Sequence, residues 1–204
     1  RGETIGVIGG TGSGKSSLVN LIPGFYPVTG GHLRLEGRDI AQIPEDELRG
    51  MVGMVPQKAV LFKGTIRSNL QWGKPDATEE EMWQAIDTAQ AREVVEGKRG
   101  KLDAEIAQNG KNLSGGQRQR LTIARALVRS PRILILDDSA SALDYATDAK
   151  LRTAIRGLEG GTTTFIVSQR ASSIRHADKI VVLDDGEMAG IGTHDELLEN
   201  CEVY

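Results

Sequence analysis

Short apolar runs separated by polar or glycine-rich breaks set the rhythm of this chain. Thr4–Ile8, Val52–Val55, Ile133–Leu136 and Thr162–Ser168 each read as a strand. The run Ile133-Leu134-Ile135-Leu136 is apolar at every position, the pattern of a central parallel strand buried on both faces. Ile180–Leu183 and Met188–Ile191, joined by Asp185-Gly186, read as a hairpin. A strand is expected at His32–Glu36 between glycines, and Pro44 fits the first position of a short helix through Leu48. From about Lys74 to Ser130 the period changes to that of helices. Thr78-Glu79-Glu80-Glu81 forms a capping box ahead of Met82, Ala85, Ile86 and Ala89 on one face. Trp83 lies off that stripe and is expected to cover a seam between subdomains. Arg118–Arg129 buries Leu121, Ala124, Leu127 and Val128 and stops at Pro131. A helix is expected over about 146–158, and Thr193–Glu196 caps a last short one. The pattern is α/β: a mainly parallel core over about 1–73 and 131–204, with a helical subdomain inserted at about 74–130.

Composition narrows the classes. At 204 residues, 39% hydrophobic and 26% charged, the chain supports a real core. A net charge of -3 and a pI near 5.7 give no electrostatic reason to expect nucleic acid as a partner. The single cysteine, Cys201, excludes an intrachain disulfide and suits a reducing compartment. Nothing approaches 18 consecutive apolar residues, and no signal peptide is visible. Arg1-Gly2-Glu3 run almost directly into a strand, so the chain is expected to begin inside a larger protein. His32, His176 and His194 are scattered without metal-ligand spacing and are expected to be solvated.

The first strand opens into Gly9-Gly10-Thr11-Gly12-Ser13-Gly14-Lys15-Ser16, followed by Ser17 and a helix. This is the phosphate-loop pattern G-x-x-x-x-G-K-[ST] between strand and helix. Glycines permit positive φ, so backbone N–H groups curl around phosphate oxygens, and the helix start adds free donors. Lys15 is placed to reach the β- and γ-phosphates and Ser16 to ligate Mg²⁺. Asp137 and Asp138 end the Ile133–Leu136 strand, where ligands bind in open α/β sheets; Asp137 suits the Mg²⁺ shell and Asp138 the γ-phosphate side. Gln57, at the end of the Val52–Val55 strand, is either a polar terminus or an oxygen for Mg²⁺ or the attacking water. Gln169 lies at the same edge. Leu113-Ser114-Gly115-Gly116-Gln117 opens a helix; on its own it reads first as an N-cap with a glycine turn, and second as an anion cradle. One nucleotide does not need two cradles in one chain, so a second cradle would serve a nucleotide held by another subunit.

The ordered set of phosphate loop, Gln57, Leu113–Gln117, Ile133–Asp138, Ser141–Asp144 and Gln169 resembles the ATP-binding cassette (ABC) ATPase domain over almost the whole chain. "LSGGQRQRLTIARAL" at 113–127 is its most specific piece, and "PQKAVLFKGTIRSNL" at 56–70 looks like the glutamine-loop segment of exporters. The resemblance implies ATP and Mg²⁺ as cofactors, with Gly9–Ser17 cradling ATP and Ser16, Gln57 and Asp137 organising the metal. It implies a head-to-tail second ATPase subunit whose ATP is gripped by Ser114–Gln117. It also assigns Ser141, Ala142, Leu143 and Asp144 to the loop between strand and helix at that interface. A transmembrane domain is the implied partner, at the cytoplasmic face of the membrane and on the same full-length chain, with the 56–70 surface receiving it. Two positions depart from the family pattern: Asp138 stands where Glu is usual, and Gln169 where His is usual. Asp is one methylene shorter, retracting a carboxylate by about 1.5 Å, and Gln cannot carry charge or a proton. Slow hydrolysis at this chain's own site is therefore expected, as in the degenerate half of heterodimeric bacterial exporters. No aromatic precedes Gly9 to stack on adenine, and the antiparallel strands usual before the phosphate loop are missing, so weaker ATP binding and a frayed antiparallel edge are expected. Competing readings are a soluble cassette acting on DNA or ribosomes, and a regulatory module that holds ATP without hydrolysing it.

Overall fold

The computed structural model describes residues 1–204, and the apolar run nearest the chain start forms an interior strand. β1 (Thr4–Gly9) leads into α1 (Lys15–Leu21), β2 (Arg34–Leu35), β3 (Arg38–Asp39), α2 (Glu45–Met51) and β4 (Val52–Val55). Then come β5 (Gly64–Thr65), α3 (Ile66–Gly73), α4 (Glu79–Thr88), α5 (Arg92–Glu96), β6 (Glu105–Ile106) and α6 (Gly115–Leu127). β7 (Ile133–Asp137), α7 (Tyr145–Arg156), β8 (Thr163–Ser168), α8 (Ala171–Ile174), β9 (Lys179–Asp184), β10 (Glu187–Gly192) and α9 (His194–Asn200) complete the chain.

Six strands form one sheet in the order β10-β9-β1-β8-β7-β4. All pairings are parallel except the β9–β10 hairpin. Alternation along each strand divides the interior in two. Val7, Ile135 and Val167 face α1, where Val19 is fully buried. Leu134, Leu136, Ile166, Ile180 and Val182 face the other way and join a larger core with α3, α4 and α6. Each such side chain contributes about 1.5–3 kcal/mol by leaving water. Met82, Ala85, Ile86 and Ala89 all lie in this core, as their spacing predicts. Trp83 packs against the same core, half-buried, with the Arg92 guanidinium 4.9 Å from its ring centroid. No helix is long and apolar enough to cross a membrane.

Several local details differ from the sequence expectation. The strand expected at His32–Glu36 shrinks to Arg34–Leu35, because Glu36 and Gly37 adopt positive φ and turn the chain onto β3. Pro44 is the N-cap of α2 with extended ψ, so the three acids Glu45–Glu47 form the first turn, where they favour the helix dipole. α3 has no counterpart in the sequence reading. Thr65 and Ser68 cap each other reciprocally there, and buried Asn69 bonds the N–H and carbonyl of Phe62 and the carbonyl of Thr65. His194 is half-buried, its Nδ1 2.7 Å from the Tyr204 hydroxyl, and so is not a solvated surface residue, whereas His32, beside Asp39, and His176 are exposed as expected.

α3 crosses α6 at Gly73, where a Cβ would lie 2.1 Å from the Arg125 carbonyl oxygen. Backbone cannot yield there as a side chain can. Gly73→Ala is expected to destabilise the chain by about 1–3 kcal/mol and to lower the melting temperature by several degrees. A melt coincident with wild type would mean that the two helices separate freely.

Candidate nucleotide site

The loop between β1 and α1 forms because its glycines accept what other residues resist. Gly12 and Gly14 have φ of +81° and +97°. At Gly9 a Cβ would lie 2.4 Å from the Leu183 carbonyl, whereas Gly10 and Gly12 face open space. Gly14 caps α1 without a side chain, so the first N–H groups of that helix remain available to an anion. Lys15 is 9% exposed, and its ammonium donates to the Gly9 and Gly10 carbonyls at 2.8 and 2.7 Å. Ser13 Oγ is buried without a partner. Gly186, in the β9–β10 turn, donates its N–H to the Ser13 carbonyl at 3.1 Å and braces the loop. The Asp185-Gly186 pair signals that hairpin but not what the hairpin leans on.

Four parallel strands deliver the remaining groups to the same edge. Ser16 Oγ donates to Asp137 Oδ2 at 3.1 Å. Gln57 Nε2 donates to Asp138 Oδ2, and Gln169 Nε2 to Thr11 Oγ1, each at a long 3.4 Å. Asp138 has φ of +46°, and its N–H donates to the Val167 carbonyl at 2.9 Å. Ser17 is exposed on α1. The donor set of Ser16, Asp137 and the Gln57 amide oxygen is all oxygen, as a hard cation requires, and the orphan Ser13 hydroxyl and the open space over Gly10 and Gly12 fit a polyphosphate.

Burial pushes the Asp137 carboxyl above the ordinary carboxylate range. The Ser16 hydroxyl opposes this, the neighbouring Asp138 reinforces it, and Lys15 opposes it. A raised pKa means that the folded chain keeps a proton the unfolded chain has lost. Stability without metal therefore falls as pH rises between the unfolded and folded values. Proton and Mg²⁺ compete for the same oxygens, so Mg²⁺-dependent nucleotide binding should weaken on acidification from a higher pH than a free carboxylate would cause. Titrations carried downward from neutral pH check this against Asp137→Asn. Identical pH profiles in the two would remove Asp137 from the metal shell.

The Leu113–Gln117 segment stands apart from these groups. Leu113 is buried, and Ser114 caps α6. Ser114 Oγ accepts the Gln117 N–H at 3.2 Å, and Gln117 Oε1 accepts the Ser114 N–H at 3.1 Å. Gly115 and Gly116 are the first helical residues, with no positive φ, so the expected glycine turn is a helix start instead. A Cβ on Gly115 would meet nothing, and one on Gly116 would lie 3.2 Å from the Ala142 carbonyl. Ser141 and Ala142 are exposed and Leu143 is half-buried, while Asp144 caps α7 by accepting from the Thr147 N–H and hydroxyl. Those bonds hold the Asp144 carboxyl below its usual range.

A phosphate loop followed by acids at the carboxyl edge of a parallel sheet defines a nucleotide-binding domain of the phosphate-loop class. The model of the ABC transporter family matches residues 1–141, and the chain belongs to that family. It is 42% identical over 203 residues to an ATP-dependent lipid A-core flippase of Chromobacterium violaceum, covering 100% of this chain and 35% of the relative. It is 46% identical over 197 residues to a beta-(1→2)glucan export ATP-binding/permease protein of Rhodopseudomonas palustris, covering 97% of this chain and 33% of the relative. Its fold matches a bacterial Atm1-family ABC exporter with ATP bound at a TM-score of 0.92 and 35% identity, covering 99% of this chain and 36% of that one. The chain thus spans about a third of the length of the curated relatives it matches.

Proposed function

We propose that this chain is the ATP-binding domain of a membrane exporter, binding Mg-ATP in its own phosphate loop and completing a partner subunit's ATP site with Leu113–Gln117. Its own site hydrolyses ATP slowly. The observation that carries this reading is the pairing of an intact Ser114-capped helix start with Asp138 and Gln169 at the two hydrolytic positions. Ser16, Gln57 and Asp137 would hold Mg²⁺, which would supply positive charge against the phosphates. Lys15 and the loop N–H groups fix the phosphates. Asp138 is the group nearest the role of base for the attacking water, and a base must come within about 2.6–3.2 Å of its proton. Its short side chain works against that reach. Gln169 can donate to a γ-phosphate oxygen but brings no positive charge.

A surface near α3 suits a membrane domain. Phe62 and Trp72 form an exposed pair with centroids 4.9 Å apart, and the Arg125 guanidinium lies 5.4 Å from the Phe62 centroid. Arg125 Nη1 is buried without a partner, and burial lowers the Arg125 pKa. Aromatic area beside a desolvated cation favours a helix end that brings an acceptor. On this reading the domain sits at the cytoplasmic face, linked to its transmembrane part within a longer chain.

The test mixes this chain with a cassette that carries Glu and His at the positions of Asp138 and Gln169. The expected result is ATPase activity well above the sum of the two alone, lost on Ser114→Arg in this chain. Association of folded partners without stimulation would refute the shared site. A second reading, ATP held as structural glue without turnover, is favoured by Asp138 and Gln169 themselves; it predicts tight ATP binding and no activity in any mixture.

A further inference from the structure

On the sheet face opposite α1, a cavity of about 220 Å³ opens between α7 and the segment running from α8 into β9. Its floor is built by Thr4 and Thr164, register partners on β1 and β8, with Leu136 and Ile166 beside them. Thr4 is 8% exposed and Thr164 3%. Their amides are engaged, Thr4 N–H with Asp178 Oδ2 at 2.7 Å and Thr164 N–H with the Glu3 carbonyl at 2.9 Å, while neither hydroxyl has a partner. Both hydroxyls line the cavity and are free to bond something within it.

Two guanidinium side chains belong to the same lining. Arg152 and Arg156 line it and no carboxylate does. Arg152 is held in place by the Ser173 carbonyl at 2.8 Å and by Asp148. Arg156 donates Nη2 to the His176 carbonyl at 2.6 Å, with Asp178 3.9 Å away. Burial, followed by Arg175, Arg152, Arg156 and His194, lowers the His176 imidazole below its ordinary value. Apolar side chains, two guanidinium groups and two unpartnered hydroxyls around one small cavity suit a compact organic anion that carries a second polar group. The volume lies below the range of about 300–1,000 Å³ that holds drug-sized ligands.

We infer that this cavity is a second, regulatory ligand site, taking a small organic anion with its oxyanion on Arg156 and Arg152 and its other end on the Thr4 and Thr164 hydroxyls. An occupant there bridges α7, which Asp144 caps, to α8, which follows Gln169 and Arg170. It would tie the Ser141–Asp144 loop to the Gln169 position from behind the sheet. That regulatory consequence rests on the proposed ATPase role; the binding itself does not.

The experiment is methyl NMR of the 204-residue chain titrated with 4-hydroxybenzoate, 4-hydroxybenzamide, benzoate and inorganic phosphate, reading the Ile155 and Ile166 methyls. The expected result is saturable shifts with 4-hydroxybenzoate below about 10 mM. The neutral amide should bind at least about tenfold more weakly, since an ion-assisted bond is lost. Benzoate, which lacks the hydroxyl, should bind several-fold more weakly, and phosphate weakest. Arg156→Gln should cost about tenfold in affinity. Thr164→Val should shrink the difference between benzoate and 4-hydroxybenzoate, with a melting temperature close to wild type. Absence of shifts at these methyls, equal binding of acid and amide, or wild-type affinity in Arg156→Gln would each overturn the inference.

Discussion

Replacing Asp138 with Glu and Gln169 with His together is expected to raise ATP turnover at this chain's own site by about 10²-fold or more, the scale of a placed general base. The measurement is steady-state ATPase activity in the full-length protein, alone and mixed with a cassette that carries Glu and His at these two positions. Two effects compete at position 138. The added methylene extends the carboxylate toward the water, but Asp138 sits at φ +46°, a region that short polar side chains occupy more readily than Glu. That strain is worth about 1–2 kcal/mol at most, less than the 2.7 kcal/mol or so that a 10²-fold gain represents. The Val167 carbonyl bond also holds the backbone at this position. Gln169→His adds a second contribution by placing a group that can carry charge against the γ-phosphate, where the glutamine now reaches Thr11. Each single change should give part of the gain and the pair more than either, because both act on one phosphate. Brisk turnover in the unaltered protein without a partner would mean that Asp138 suffices as base.

The elements whose sequence carries its own reason were readable in advance. β7 is apolar at consecutive positions because both its faces are covered, and β1 ends in a glycine loop that matches the phosphate-loop pattern. The capping boxes at Thr78 and Thr193 follow the Thr-x-x-Glu rule and cap their helices as expected. α3 escaped because its reciprocal cap uses Ser68 in place of Glu or Gln, and because Asn69, polar and buried, reads as surface. β5 and β6 are two-residue pairs joined across some forty positions, with no periodicity to register. The brace from Gly186 to Ser13, and the meeting of Thr4 with Thr164 under α7, are tertiary facts that arise from strand order. The candidate site residues stood out in the sequence because phosphate chemistry restricts residue types. Their supports did not, because any N–H or hydroxyl at the right place would serve.

Lys15→Ala is expected to lower ATP affinity by about 10²-fold, the loss of one or two charge-assisted hydrogen bonds at roughly 1.5–3 kcal/mol each. It should also lower the melting temperature of the nucleotide-free chain by a few degrees. Both effects come from one ammonium. Without ligand it already staples the loop through the Gly9 and Gly10 carbonyls at 2.8 and 2.7 Å, nearly out of contact with water. Its third proton is left to face a phosphate. Lys15→Arg keeps the charge but replaces a compact point donor with a planar fork too wide for that space, so it should recover little affinity. Calorimetric titration with ATP, beside thermal melts of the same samples, separates the two roles. A large affinity loss with an unchanged melt would mean that the loop holds its shape through Gly186 and its glycines alone. A lowered melt with affinity within threefold of wild type would mean that Lys15 is a structural staple and the backbone N–H groups carry the phosphate.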